Sequence, residues 1–330
     1  MRCVSLLPSA TEVIKEVAAC CASPDDLQLV GRSHECDFPP EVKALPALTA
    51  SKIKWTDSAD VDRQVREELA AQGGSGSGLY TVDRELMARL QPDAIVTQSL
   101  CEVCSVNYSH VCNLAAGIDP PPIMVDLNPL CLEDVIADVR RVGTLMKQPA
   151  AAEAAAAALE QRVAAAVAAV PQREESERPC VACLEWTAPI FVGGHWTPQL
   201  VHMAGGRHPL NPPKNGGGAG SSFTVTPQQL ADSEPDWIIV ALCGLDEATT
   251  VAELESSLAK EPVWKEMRAV KEGRVLIVNG NHMFNRPGPR LVDALEFLTG
   301  LLNNKPELIP AGFPWFYYKP SEKAAAAGEQ

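Results

Sequence analysis

Residues 149–170 form an almost unbroken alanine run, opened by Pro149 and closed by Pro171. Alanine loses no side-chain entropy in a helix, so few stretches commit the backbone more strongly. Pro149 suits the first helical turn, where its missing N–H is not needed. Leu159, Val163, Val167 and Val170 recur at helical spacing and predict one apolar stripe. At about 1.5 Å per residue the segment spans about 33 Å, near the width of a small domain. It is either one amphipathic helix of a single large domain or a strut between two lobes. The choice depends on whether its flanks look like related halves.

They do. The first flank opens with an apolar strand over 3–7, then Pro8 and Ser9-Ala10-Thr11-Glu12, a capping-box pattern in which Ser9 caps and Glu12 reaches back. Strands follow at 27–30, 94–97 and 123–127, helices at 61–71, 83–90, 108–116 and 132–146, and a flexible loop at 73–78. After the alanine helix the alternation restarts, with strands at 180–184, 237–241 and 275–278. Helices fit 197–204, 227–231, two pieces between 249 and 271, and 290–302, with a long loop over 205–222. Gln91-Pro92-Asp93 before one strand is echoed by Glu234-Pro235-Asp236 before another. Strand–helix alternation on both sides predicts an α/β fold with mostly parallel sheets. The expected organisation is a lobe over 1–148, a connecting helix over 149–170, a second lobe over 171–318 and a disordered tail over 319–330.

The net charge of −14 argues against a nucleic-acid partner, which needs a basic face. No run of about eighteen apolar residues is present to insert in a membrane. The apolar run over 3–7 ends at Pro8, short of the core of a secretory signal. Eleven cysteines, an odd count spread over a large chain, fit reduced thiols better than a disulfide framework. Together these predict a cytoplasmic location, the alternative being an exported protein whose leader was removed ahead of this numbering.

In open parallel sheets, ligands sit beyond the carboxyl ends of the strands. The informative side chains fall in those loops: His34-Glu35-Cys36-Asp37; Gln98 with Cys101, Glu102 and Cys104; Glu185-Trp186; His195-Trp196; Cys243-Gly244; and Phe284-Asn285-Arg286, followed by Arg290. Cys101 and Cys104 have the spacing of a metal-ligand or dithiol pair, and packing is an equal alternative. Cys180 and Cys183 share that spacing, but on a strand they point to opposite faces and suit the core. His34 and Cys36 read as ligands, as an acid–nucleophile pair, or as polar surface. His195-Trp196 after two glycines reads as a cover over a ligand or as an aromatic folded onto its own lobe. Arg286 and Arg290 suit an acidic group on a ligand or partner, with Arg290 alternatively only the start of a helix. His110, His202, His208 and His282 read as surface or packing residues, and Cys3, Cys20, Cys21, Cys112, Cys131 and Cys180 as small buried apolar ones. The convergence of His, Cys, Glu and Trp on strand ends in both halves predicts a binding or catalytic cleft between lobes.

VSLLPSATE at 4–12, SHECDFPP at 33–40, TQSLCEVC at 97–104, CLEW at 183–186, GHWTP at 194–198 and FNRPGPRLVDALE at 284–296 resemble one known family. It is the iron-siderophore/cobalamin type of periplasmic substrate-binding protein, class III of the ABC-transporter binding proteins. Within it the chain is similar to the cobalamin-binding-protein-like branch, from Arg2 to about Leu302. The resemblance implies two α/β lobes joined by one long helix, with the ligand between them, and no catalysis. It also implies that Pro8, Ser9, His34 to Asp37, the Cys101 to Cys104 loop, Glu185, Trp186, His195, Trp196, Cys243, Gly244 and Phe284 to Arg286 face the ligand. The expectation is a monomeric, soluble carrier or sensor for cobalamin or a related corrinoid, with an ABC-type permease as the partner the family implies. Trp186, Trp196 and Phe284 would contact a flat macrocycle, a His or Cys would approach its metal, and Glu102, Glu185, Asn285 and Arg286 would meet polar groups. The alternative is a metal- or thiol-dependent enzyme or metal carrier. There Cys36, Cys101, Cys104 and Cys243, with His34 or His195, would hold zinc or iron. A third reading is an exported ABC-transporter component whose leader was removed ahead of this numbering.

Overall fold

The computed structural model describes residues 1–71, 78–99, 106, 108–214 and 217–321. Cys101, Glu102 and Cys104, most of the 73–78 loop and the end of the 319–330 tail lie outside the described residues. The chain divides into two compact units. The first comprises Met1–Thr56, Asp60–Pro129 and Glu133–Gln161, and the second Asp57–Ala59, Leu130–Leu132 and Arg162–Gln330.

In chain order the first part carries β1 (Arg2–Ser5), α1 (Pro8–Ala19), β2 (Gln28–Gly31), β3 (Thr49–Ser51), α2 (Ser58–Ala71), β4 (Tyr80–Val82) and α3 (Arg84–Leu90). It continues with β5 (Ala94–Thr97), α4 (Tyr108–Ala115), β6 (Ile123–Asp126) and α5 (Leu132–Leu145). Its main sheet is parallel throughout, in the order β2-β1-β5-β6. β3 and β4 form a separate antiparallel pair. β5 is buried at every position, as the apolar run Ala94-Ile95-Val96-Thr97 requires of a strand covered on both faces. Val4, Leu48, Met87 and Ile95 centre the core on one face of this sheet. α1 begins two residues before the position expected with Ser9 as the cap. Pro8 takes its first turn, and the cap is Leu7 with no side-chain hydrogen bond, so the Ser9/Glu12 capping box does not form.

The second part carries β7 (Val181–Thr187), β8 (Ile190–Val192), α7 (Trp196–Met203), β9 (Phe223–Val225), α8 (Pro227–Asp232), β10 (Trp237–Val240) and α9 (Glu247–Ser256). After these come α10 (Pro262–Glu266), α11 (Arg268–Lys271), β11 (Val275–Val278), α12 (Leu291–Leu302) and β12 (Trp315–Tyr317). Its six strands run β12-β11-β10-β7-β8-β9. β11, β10 and β7 are parallel, and the antiparallel strands β12, β8 and β9 extend this parallel core at both edges.

The echo seen in the sequence is structural. Gln91 and Glu234 both take positive φ, 45° and 47°, ending the preceding helices. The carboxylate of Asp93 then accepts the N–H of Arg2 at 2.7 Å, ahead of β1's inner residues. Asp236 does the same for the N–H of Cys180 at 2.8 Å, ahead of β7. Each unit thus ties the start of its first strand to the turn before a neighbouring strand.

Between these parts runs α6 (Pro149–Ala168), and the boundary between the units falls inside it, after Gln161. Its buried stripe is Ala151, Ala152, Ala155, Ala156, Leu159 and Ala166, whereas Val167 is exposed. Small side chains set this face because α5 approaches closely. A Cβ on Gly143 would lie 2.2 Å from the Cβ of Ala152. Arg140 of α5 adds paired hydrogen bonds to Glu153 and Glu160 on the same helix. Further along, Arg162 pairs with Asp293 and Glu296 of α12.

Candidate functional site

In the first unit the expected residues cluster beyond the carboxyl ends of β1, β2 and β5. Arg32 draws the loop after β2 together, donating to the carbonyls of Ser33, His34, Lys43 and Leu45. His34 is fixed by Thr49, whose hydroxyl accepts its N–H at 3.0 Å and lies 2.7 Å from Nδ1. Tyr80 tilts over the imidazole at 5.7 Å and donates its hydroxyl to Glu35 at 3.3 Å. Burial, and then the charge of Arg32, lower the His34 pKa, so the ring is neutral near pH 7. Cys36 departs from the expected ligand or nucleophile. It is buried, with its sulfur 3.0 Å from the Thr11 hydroxyl inside the unit. Asp37 is half-buried, Ser9 and Gln98 are buried, and Pro8 opens α1.

The second unit builds a denser arrangement. The pairing of β7 with β8 shifts register between Leu184 and Trp186, so Glu185 sits at a bulge. One oxygen of its carboxylate accepts the N–H of Gly194 at 3.3 Å and the other accepts the hydroxyl of Ser222. Only glycine fits at 194, because a Cβ there would meet the backbone nitrogen of Ser222 at 2.3 Å. The next residue, His195, holds φ 50° and ψ −111°, a costly backbone for a side chain with a Cβ. Two backbone bonds enforce it: His195 N–H to Gly220 O at 2.9 Å, and Ala219 N–H to His195 O at 2.7 Å. The imidazole stacks on Trp196 at 5.6 Å, and burial lowers its pKa, leaving a neutral ring near pH 7.

Beneath this loop, Asn211 donates its amide to the carbonyls of Gly193, Gly220 and Ser221. Buried His208 lies between the N–H groups of Cys183 and Asn211, each at 3.3 Å from a ring nitrogen. Burial pushes its pKa down to about 4.

Two aromatic residues expected to present apolar surface are instead in the core. Trp196 is 8% exposed and donates its indole N–H to Phe284 O at 2.6 Å, and Phe284 is 3% exposed against the edge of Phe297. An aromatic in a loop must be covered by something, and here its own unit covers it. Trp186 is half-buried, with its indole N–H on the carbonyl of Ser58, a residue that clusters with the second unit. The Asn285 amide is bound to Ala241 O and Gly280 O, and buried Arg286 donates to Asn281. Cys243 is exposed, its N–H held by Glu185 O, and Gly244 at φ 72° leaves open space beside it.

The structure therefore brings together Glu185, the Gly193 to Trp196 turn and Cys243 in the second unit, and His34 and Glu35 in the first. Thr49, Tyr80, Asn211 and Ser222, which orient these residues, carry no sequence signal of their own because they come from distant segments. Among the described residues no group of three or more His, Cys, Asp or Glu is placed to hold a metal ion. Cys20, expected to be buried, is exposed.

A family model described as periplasmic binding protein matches residues 4–280. No curated protein matches the chain. Among solved structures, the chain is similar to the periplasmic vitamin B12 binding protein BtuF of Vibrio cholerae, at 18% identity and TM-score 0.61, covering 93% of this chain and 98% of that one. A periplasmic heme binding protein from Pseudomonas aeruginosa matches at 21% identity and TM-score 0.63, covering 95% and 94%. An ABC transporter substrate-binding protein from Listeria monocytogenes EGD-e matches at 18% and 0.64, covering 92% and 98%. The α/β fold is the one shared with these proteins.

The cytoplasmic location expected from the sequence is overturned, because the matching family is one of periplasmic binding proteins. The thiol argument fails for a physical reason. Cys3 and Cys180 are buried, and burial pushes their thiols up to about 12 and about 11. A buried, protonated thiol is inert whatever the redox poise around it. Among the described residues no helix is long and apolar enough to cross a membrane.

Proposed function

The chain belongs to the periplasmic binding protein family, and on that footing we propose that it captures a cobalamin-like corrinoid, or a related planar metal chelate, at loops beyond the carboxyl ends of its sheet strands. The observation that carries this reading is His195. A strained backbone holds its ring at the start of α7, and burial keeps it neutral. A neutral imidazole is the form that coordinates a metal. Glu185, Cys243 and Gly244 border the same turn, and Trp186 offers a half-buried indole for apolar contact. In the first unit, His34 and Glu35 offer a second neutral imidazole beside a carboxylate.

The role is capture and delivery rather than catalysis, with an ABC-type permease as the receiving partner and the chain acting as a monomer. Zinc or iron held by protein thiols would need Cys101 and Cys104, which lie outside the described residues. Titration of the purified protein with aquacobalamin and, separately, with haemin, followed by absorbance, tests the proposal. A saturable one-to-one change with either chelate is expected. His195→Ala should remove the spectral change assigned to axial ligation. Linear, non-saturating absorbance with both chelates would overturn the reading.

A further inference from the structure

The second unit has a cavity of about 350 Å³ at the end of its sheet opposite the loops described above. It lies under the amino ends of three adjacent parallel strands: Arg178 and Pro179 precede β7, Asp236 precedes β10, and Arg274 precedes β11. Arg207 is carried to the same place by a parallel bridge to Cys180, and Arg268 opens α11 beside it. Four guanidinium groups thus line one cavity in a chain whose net charge is −14.

The protein's own carboxylates meet this cluster unevenly, and Glu177, which also lines the cavity, turns its carboxylate to the N–H of Glu174. Asp236 is shared three ways, accepting the N–H of Cys180 on one oxygen and facing both Arg268 and Arg274 with the other. Arg274 also meets Glu272, and Arg178 reaches the exposed Glu175 only at 3.5 Å. Arg207 has no carboxylate of the described residues within ion-pair distance. Its Nε donates to Arg178 O at 3.2 Å, leaving its terminal nitrogens to the cavity. Arg274 lies 5.7 Å over the Trp237 ring, and its Nε–H is buried without an acceptor. Three of the four guanidinium groups thus have a carboxylate, and Arg207 presents the unmatched positive charge in a concave site with one aromatic wall.

We propose that this cavity binds a small, multiply charged oxyanion. Planar guanidinium forks match paired oxygen atoms, which favours phosphate-type or polycarboxylate ligands over halides. The volume admits a small ligand rather than a folded partner. The site is separate from the Glu185 and His195 loops, so it adds a second ligand to the proposed binding protein.

The test is isothermal titration of the full chain with pyrophosphate and, separately, with citrate at fixed ionic strength. Saturable one-to-one binding of either supports the proposal, and whichever binds more tightly assigns phosphate or carboxylate chemistry. Arg207→Ala should weaken that binding about tenfold or more, the loss of one charge-assisted hydrogen bond. Arg207→Lys keeps the charge but not the fork and should fall between. Both variants should keep the wild-type near-UV circular dichroism and unchanged chelate titrations. Absence of saturation with either anion, or equal affinity of wild type and Arg207→Ala, would overturn the inference.

Discussion

Acidification should loosen the second unit through His208. Its ring is buried between the N–H groups of Cys183 and Asn211, and burial holds its pKa near 4 instead of the ordinary 6.5. Above pH 6.5 the imidazole is neutral in both folded and unfolded chains and exerts no pH dependence. Between 6.5 and 4 the unfolded chain takes up a proton that the folded one refuses, so stability falls as pH falls. At about 1.4 kcal/mol per pH unit, the loss over this window is about 3 kcal/mol, and it stops below the folded value. His208→Gln keeps an acceptor near Nε2 and removes the titration. The assay is guanidinium unfolding of both proteins at pH 7.0 and 4.5, followed by tryptophan fluorescence. Five of the six tryptophans, Trp186, Trp196, Trp237, Trp264 and Trp315, lie in the second unit and Trp55 in the first, so the signal is weighted toward the right half. The wild type should lose about 2–3 kcal/mol more than the variant over this interval. Equal losses would refute the argument that burial keeps His208 neutral, and a larger loss in the variant would reverse its sign.

Two further predictions concern packing. Asn211→Ala removes one donor group from the carbonyls of Gly193, Gly220 and Ser221; unfolding free energy should drop by about 1–3 kcal/mol, and chelate affinity should fall with it. Gly143→Ala forces a Cβ to within 2.2 Å of Ala152; thermal unfolding should show a destabilisation of about 1–3 kcal/mol, and a neutral result would mean that α5 and α6 are farther apart than described.

What could be read in advance follows the range of the forces involved. The strands at 94–97 and 275–278 were legible to the residue because a continuous apolar run bounded by turns needs only local information. The alanine helix was legible in its existence but not in its face. The valine stripe pointed one way, and the close approach of Gly143, a contact between helices, selected the alanines. β8 and β9 escaped notice because three residues each leave no periodicity to detect. At the site, His34, Glu185 and His195 stood out by chemistry and strand-end position. Thr49, Ser222 and Asn211 did not, since their role exists only once distant loops meet. Trp196 and Phe284 show the limit of arguing from exposure. A loop aromatic demands cover, and the sequence does not say whether a ligand or the chain itself provides it.

Hydrogen–deuterium exchange of the protein with and without aquacobalamin tests the central claim most directly, because it reads binding and location together. The account predicts slower exchange on ligand addition in the backbone amides of Glu185 to Trp196, Cys243 to Leu245 and Asn279 to Arg286, with the arginine-lined cavity under β7, β10 and β11 unchanged. Unaltered exchange at saturating ligand, or protection confined to that cavity, would contradict it.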